Sequence, residues 1–275
     1  MGALPCLGKL LRPCSLVRPS AALVRATVLE LAILATHVLL YPAGLARERQ
    51  APPLPAAEAV PVPAGPPPVL LLHGFIDNRS VFFLLRRSLR RNGWRQVVCL
   101  NYPLLTRDVR IAAAALGRHV EEVCERTGQP QVDVVGHSLG GLVARYYIQR
   151  MGGDARVRTL VTLGTPHGGT LTAVLATVHP LARQMHPDSD VIAELAEPAP
   201  DCATHFISFW SELDLLMSPV ETARIDHPDL VARSVRVSGV GHLALPVHGA
   251  VAAGIRQALT ARVPEAGAPG AASVA

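Results

Sequence analysis

The stretch VDVVGHSLGGLVARYYI, from Val132 to Ile148, joins a run of β-forming residues to a run of helix-forming residues. The turn between them, Gly136-His137-Ser138-Leu139-Gly140, fits the pattern G-x-S-x-G. In that pattern small flanking residues leave room where a Cβ would collide, and the serine is exposed on a sharp strand-to-helix turn. The helix points its N-terminal amides and the positive end of its dipole at an anion formed on the serine. The stretch predicts that Ser138 is a nucleophile; the alternative is a serine that only caps a helix.

Strands and helices alternate along most of the chain. Short runs rich in β-branched residues predict strands at Val69–Leu72, Gln96–Leu100, Val132–Val135, Val157–Thr162, His205–Phe209 and Ser234–Val237. Helices are predicted at Val81–Arg91, Asp108–Thr127, Leu139–Met151, Pro219–Ile225 and Leu245–Arg262, with Asp108 as an N-cap and Gly128 as a C-cap. This alternation predicts an α/β fold: a mainly parallel sheet of about six strands with helices on both faces.

Candidate site residues lie shortly after five of the predicted strands. Sites in open parallel sheets lie outside the carboxyl ends of the strands, so we expect these residues to meet at one edge. They are His73-Gly74-Phe75, Ser138, Gly164-Thr165-Pro166-His167, Asp214 and His242.

A serine hydroxyl needs a base, and His242 is the histidine best placed to be one. It lies in VSGVGHLAL, after the last predicted strand and before the last helix. The other histidines lie in other motifs, inside helices or strands, or where no strand end places them. His242 is therefore the predicted base.

The base needs a carboxylate that fixes its tautomer, and in sheets of this kind the order along the chain is serine, acid, histidine. Asp214 follows the fifth strand within SELDLLMSP, and Glu212 is its rival.

The second half of the site is an oxyanion hole, for which the amides of Leu139 and Phe75 are the predicted donors. Gly74 allows the loop that carries Phe75 to turn sharply.

Five motifs together, PVLLLHGF, VDVVGHSLGGLVARYYI, VTLGTPHGGT, SELDLLMSP and SGVGHLAL, resemble the α/β-hydrolase lipases. The chain looks most like small bacterial triacylglycerol lipases with GHSLG and GTPHGGT motifs, over about Pro68 to Leu259. The resemblance implies an α/β-hydrolase fold, a Ser138–Asp214–His242 triad and oxyanion donors at Phe75 and Leu139. It also implies hydrolysis of carboxylic esters through an acyl-enzyme.

Other residues of these motifs are expected to line the site without taking part in the chemistry. His167 precedes the acid along the chain, against the order of the family, so GTPHGGT is interpreted as a turn at the site mouth. The predicted lining residues are His73, Gly74, Gly136, His137, Gly140, Thr165, Pro166 and His167. Residues 170–201, helical pieces broken by prolines, are interpreted as a small lid-like insertion, or else as ordinary helices packed on the core.

Residues 1–47 differ from the rest. Basic residues precede an apolar run, Ala26 to Ala46, long enough to cross a bilayer, in which Glu30 and His37 are costly. Three interpretations stay open: an uncleaved signal anchor, a cleaved secretory signal, or an amphipathic surface helix. The first two place the domain in the cell envelope or outside the cell. A Pro/Ala-rich linker (48–67), a catalytic domain (68–263) and a flexible tail (264–275) follow.

Composition narrows the function classes. The net charge is +5, but the arginines form no basic stripe, so we predict no nucleic-acid partner and only attraction to anionic membrane surfaces. The five cysteines form no CxxC pair, and we see no metal-ligand cluster, phosphate loop or dinucleotide fingerprint. We predict no metal and no cofactor, and a lipid or small ester as substrate. Acyl transfer or thioester cleavage by the same residues, and a non-catalytic binding protein with this fold, are the alternatives.

Overall fold

The structure, a computed structural model, describes residues 20–45, 65–101, 106–176 and 179–261. The predicted linker lies outside these residues up to position 64, and so does the whole of the predicted tail. The same is true of Cys6 and Cys14.

The described residues form one six-stranded sheet in which every neighbouring pair of strands is parallel. The order across it is β2-β1-β3-β4-β5-β6. The strands are β1 (Val69–Leu72), β2 (Val97–Leu100), β3 (Val132–His137), β4 (Val157–Leu163), β5 (His205–Trp210) and β6 (Val231–Arg236). The predicted sheet is confirmed, but β6 begins three residues before its predicted start. As a largely exposed edge strand, β6 lacks the continuous apolar run that marks the central strands.

Helices cover both faces of the sheet, as the alternating pattern predicts. They are α1 (Ala21–Leu45), α2 (Phe83–Arg91), α3 (Val109–Thr127), α4 (Leu139–Arg150), α5 (Pro180–Gln184), α6 (Asp190–Ala196) and α7 (Gly249–Thr260). Short 3₁₀ helices occupy Arg79–Phe82, Gly153–Ala155, Leu171–Ala176, Val220–Ala223 and Leu245–Val247. The helix predicted at 219–225 is thus a 3₁₀ helix, and the one predicted at 245–262 is interrupted at His248.

Both predicted caps of α3 are present. The Asp108 carboxylate accepts a hydrogen bond from the Arg110 amide at 2.7 Å. Gly128 has φ +67°, the left-handed conformation that ends helices, and its amide donates to the Cys124 carbonyl.

The core consists of two apolar layers, one on each face of the sheet. Side chains alternate along each strand, so Leu70 and Leu72 pack against α3 and α4, while Val69 and Leu71 pack on the side of α2 and α7. The chain runs from β1 outward to β2, then returns past β1 to β3 and continues to β6. The loops after β1 and β3 therefore diverge, and a crevice opens between them at the carboxyl edge.

Helix α1 lies against the rest of the described chain, which we call the body. It contacts the 3₁₀ helix at Arg79–Phe82, and Ile33 packs against the apolar layer on the α2 side. Within the described residues, α1 is the one helix long and apolar enough to cross a membrane. It is compatible with a signal peptide or a membrane anchor.

Candidate active site

Ser138 occupies the turn between β3 and α4 in a strained conformation. Its φ of +53° and ψ of −123° are unusual for a residue with a side chain. The turn is held by its backbone, because the Ser138 amide donates to the Leu163 carbonyl and the Ser138 carbonyl accepts from Gly141. The Thr165 hydroxyl donates to the same carbonyl at 2.9 Å. These hydrogen bonds hold Ser138 in its strained conformation, as is common at functional sites.

The glycines of the turn allow the backbones of β1, β3 and α4 to approach closely. A Cβ at Gly136 would lie 2.5 Å from the Gly141 backbone, and one at Gly140 would lie 2.6 Å from the His73 carbonyl oxygen. These neighbours are backbone atoms of α4 and of the end of β1, and they cannot move aside.

Replacing Gly140 by Ala should therefore destabilise the protein by about 2 kcal/mol or more, because the added methyl group overlaps the backbone of Leu72 and His73 at the end of β1. Gly249→Ala is the matched control, since a Cβ at Gly249 meets nothing within 4 Å. Urea unfolding of both variants measures the difference. Equal midpoints for Gly140→Ala and the wild type would contradict this packing.

His242 and Asp214 form a buried pair beside the turn. His242 Nδ1 lies 2.8 Å from Asp214 Oδ2, and the two side chains are 4% and 1% exposed. The second carboxylate oxygen, Oδ1, accepts from the Leu216 amide at 3.0 Å. Asp214 therefore fixes a proton on Nδ1 and leaves Nε2 unprotonated when the ring is neutral.

The loops that carry the pair are tied to each other. The Ser211 hydroxyl, just after β5, donates to the Val240 carbonyl, just after β6, at 2.5 Å. The same oxygen accepts from the Leu213 amide at 3.1 Å. Gly164 has φ +54°, and a Cβ there would lie 2.8 Å from Asp214 Oδ2. Carboxylate and imidazole are thus packed against the end of β4, with no room for water between them.

The electrostatics single out His242 among the buried histidines of the site. Burial lowers the pKa of His73 to about 4. Burial also holds the pKa values of His137 and His167 well below 6.5, so both rings are neutral. Burial lowers the pKa of His242 too, but Asp214, Glu30 and Asp77 together raise it above 6.5. Of these rings, His242 is the one whose protonated form the site stabilises, as a base requires.

The loop after β1 approaches the serine closely. A Cβ at Gly74 would lie 3.1 Å from the Ser138 Cβ, so a side chain there would crowd the serine. Ile76 has φ +66°, which is rare for a β-branched residue and marks this loop as strained. Leu139 is the first residue of α4. Phe75 follows Gly74 in this loop and Leu139 follows Ser138, and their role as oxyanion donors stays a prediction.

A cavity of about 940 Å³ opens over these residues. Ser138, His242, Gly74 and Phe75 line it, and the remaining wall is largely apolar. One side comes from α1; the other comes from the loop after β5 and from segment 170–185, including Leu215, Leu216, Met217, Thr170, Ala173 and Met185. The cavity therefore suits an apolar group next to a hydroxyl and an imidazole.

The predicted lining residues separate into two groups. Gly74 lies in the cavity wall, whereas His137 is fully buried behind it, with Nε2 3.2 Å from the His242 carbonyl oxygen. His167 is also buried, and its Nε2 lies 2.9 Å from the Thr162 hydroxyl. Thr165, Pro166 and His167 of the GTPH motif are buried and do not line this cavity, and of these three the Thr165 hydroxyl holds the Ser138 carbonyl.

The segment predicted as a lid is helical and packed. Leu181, Ala182, Val191 and Leu195 are buried in the core layer on the α4 side. Ala182 also lines the cavity. The segment thus belongs both to the core and to the wall of the cavity.

Sequence reasoning missed three ionisable residues near the site: Asp77, Glu30 and His37. Burial raises the pKa of Asp77 to about 6, although His242 opposes this. Asp77 Oδ2 lies 3.8 Å from His137 Nδ1, and Asp77 Oδ1 lies 3.7 Å from His37 Nδ1. The signal for Glu30 and His37 was in the sequence, because both interrupt an apolar helix and lie seven residues apart, on one face.

No group of three or more histidine, cysteine, aspartate or glutamate side chains within the described residues is arranged to hold a metal ion. Cys99, Cys124 and Cys202 are buried.

Sheet order, serine turn and strand-end residues together define the α/β-hydrolase fold. Residues 67–185 match the family model described as alpha/beta hydrolase fold.

Solved structures agree on the fold. Lipase BlEst2 from Bacillus licheniformis in its mature form is 15% identical, with a TM-score of 0.61 over 79% of this chain and 97% of that one. The lin2722 gene product of Listeria innocua is 17% identical, with a TM-score of 0.55 over 73% and 96%. EstE1, a thermostable carboxylesterase cloned from a metagenomic library, is 21% identical, with a TM-score of 0.50 over 72% and 82%.

Proposed function

We propose that this chain is a serine carboxylic-ester hydrolase of the lipase or esterase type. The observation that carries the proposal is the buried His242–Asp214 pair, with Nδ1 and Oδ2 2.8 Å apart, at the wall of the cavity that Ser138 also lines. The names of BlEst2, a lipase, and EstE1, a carboxylesterase, agree with this class of reaction.

In the acylation step, Ser138 Oγ attacks the ester carbonyl carbon while His242 Nε2 takes the hydroxyl proton. The carbonyl π electrons move to oxygen, and the amides of Leu139 and Phe75 stabilise the oxyanion. The tetrahedral intermediate then expels the alcohol, which takes its proton from His242. Asp214 stabilises the transient imidazolium but keeps its own charge.

In the deacylation step, water replaces the alcohol. His242 takes a proton from the water while the hydroxide adds to the acyl carbon. The intermediate then collapses, the bond between the acyl carbon and Ser138 Oγ breaks, and the carboxylic acid leaves while His242 returns its proton to Oγ. Both steps need His242 neutral at their start.

The apolar cavity supports lipid esters, such as acylglycerols, over short soluble esters. Burying one methylene contributes about 0.8 kcal/mol, so each methylene added to the acyl chain can raise kcat/KM by at most about fourfold. On p-nitrophenyl esters, we expect kcat/KM of the full chain to rise from acetyl to medium acyl chains. Ser138→Ala measures the uncatalysed background, and a flat or falling profile would contradict the acyl-binding role of the cavity.

The exposed side chains on the outer face of α1 support attachment to a membrane in the cell envelope. They include Val24, Val28, Leu29, Leu39 and Leu40. An apolar helix face of this kind is stabilised at a lipid surface.

A further inference from the structure

Helix α1 turns its polar groups toward the body. Glu30, His37, Tyr41 and Gly44 are spaced by seven, four and three residues, which places them on one helix face. Each of them contacts the body. This is the reverse of an ordinary surface helix, whose polar face meets water.

The Glu30 carboxylate accepts two hydrogen bonds from the loop that carries His242. Its Oε2 accepts from the Leu243 amide at 2.8 Å, and its Oε1 accepts from the Ala244 amide at 2.9 Å. On the other side of His242, a Cβ at Gly241 would lie 2.6 Å from Glu30 Cγ. The backbone on both sides of the base therefore packs against one carboxylate, through two charge-assisted hydrogen bonds.

The body also completes the C-terminal end of α1. The Asn78 side-chain amide donates to the Tyr41 carbonyl at 2.9 Å, and the Asn101 side-chain amide donates to the Gly44 carbonyl at 2.8 Å. Carbonyls in the last turn of a helix lack partners within the helix, and Gly44 carries one of them, so the two asparagines hold this end of α1 against the body. Gly44 is needed for this approach, since a Cβ there would lie 2.8 Å from Asn78 Nδ2.

Between these two contact regions, α1 forms one wall of the cavity. Its lining side chains are mostly apolar and face Ser138 and His242 across the space: Leu23, Ala26, Thr27, Leu31, Leu34 and Val38. Removing or withdrawing α1 would open this side of the cavity and leave the Leu243 and Ala244 amides without their carboxylate.

We propose that α1 is a permanent part of the active enzyme: Glu30 is a positioning residue for the His242 loop, and the side chains beside it form one wall of the acyl-binding cavity. The proposal rests on the proposed esterase function. It distinguishes among the three interpretations of residues 1–47. Cleavage of a signal would remove Glu30, and a helix crossing the bilayer would withdraw Glu30 from the loop. An amphipathic helix that lies along the membrane surface keeps Glu30 in place.

The first experiment compares Glu30→Gln and Glu30→Ala with the wild-type full chain, reading kcat, KM and the pH profile of kcat/KM. Glu30→Ala removes both hydrogen bonds and should lower kcat by about 30-fold, since small displacements of a catalytic group cost up to about 100-fold. Glu30→Gln keeps an acceptor and should lose less. Thr36→Ala, on the exposed side of α1, is the control and should match the wild type.

The pH profile separates positioning from a merely structural role. The groups that face His242 are Asp214, Glu30 and Asp77, which raise its pKa, and the neutral ring of His137, whose centroid lies 4.7 Å away. Activity falls as the pH drops through the pKa of His242, because the base must be neutral. Loss of the Glu30 charge lowers that pKa, so the acid limb of Glu30→Gln should move to lower pH.

The second experiment detects the docked helix without using activity. A Cβ at Gly44 would overlap the Asn78 side chain, which brings the two positions within disulfide reach. In a chain with Cys6→Ser and Cys14→Ser, the pair Gly44→Cys and Asn78→Cys should form a disulfide, seen in tryptic peptides by mass spectrometry. Leu39→Cys with Asn78→Cys is the control that should not link, because Leu39 is 79% exposed.

The outcomes divide cleanly. A formed 44–78 link, slower Glu30 variants and a shifted acid limb support the proposal. If the wild type is active and the Glu30 variants keep its kcat and pH profile, the proposed role of α1 is wrong and the esterase function stands. The same holds if the 44–78 disulfide does not form in active protein. A formed link in a chain without esterase activity overturns the esterase function and, with it, the positioning role of Glu30.

Discussion

Ser138→Ala should lower the kcat of ester hydrolysis by about 10⁴- to 10⁶-fold, because no other group of the site can form the acyl-enzyme. The loss should appear in kcat and kcat/KM alike, since the cavity wall that binds the acyl chain is unchanged. Initial rates on a medium-chain p-nitrophenyl ester, with thermal unfolding alongside, measure the effect.

The matched control is Ser88→Ala. Ser88 lies on α2, where its hydroxyl accepts from Arg256 at 2.7 Å, away from the cavity. It should hydrolyse the ester within about twofold of the wild type, as ordinary surface substitutions do. Retention of more than a tenth of the activity by a folded Ser138→Ala protein would contradict the nucleophile assignment.

Asp214→Asn should lower kcat by about 10⁴-fold. The Asn amide can donate to His242 Nδ1, which favours the tautomer with the proton on Nε2, where it cannot accept the serine proton. The substitution also removes the charge that stabilises the imidazolium. Rates measured from pH 5 to 9 check both effects.

Glu212→Gln is the control for Asp214→Asn. Glu212 lies two residues away and pairs with Arg236 at 3.5 Å on the surface, with about half of its side chain exposed. An exposed pair of this kind contributes little, so the variant should keep its activity within about twofold. If Glu212→Gln lowers kcat more than Asp214→Asn does, then Glu212 and not Asp214 is the carboxylate of the triad.

The sequence predicted the sheet and the strand-end residues because both depend on local patterns. The six apolar runs are short, bounded and separated by helical stretches, and parallel strands bring their carboxyl ends to one edge. Ser138 and His242 consequently line one cavity, and Asp214 lies against His242. The edge strand β6 was placed less well, because its side chains are largely exposed and carry less apolar signal.

The part of the site that depends on long-range contacts was not predictable. Glu30 meets Leu243 across 213 residues of sequence, and no local periodicity encodes that partner. In the sequence, Glu30 and His37 read as costly interruptions of an apolar segment. Both residues lie on one face of α1, but this indicates a docked helix only when their partners are known. Those partners are the Leu243 and Ala244 amides and the Asp77 carboxylate. The buried place of His167 likewise depends on Thr162 of the neighbouring strand.

Covalent labelling with a fluorophosphonate tests the central claim most directly, because the probe reacts only with a serine activated by its base. The full-length wild type should be labelled at one site, mapped by peptide mass spectrometry to Ser138, with labelling lost in Ser138→Ala and strongly slowed in Asp214→Asn. An unlabelled but folded wild type, or undiminished labelling of Ser138→Ala, would contradict the assignment of Ser138 as the nucleophile.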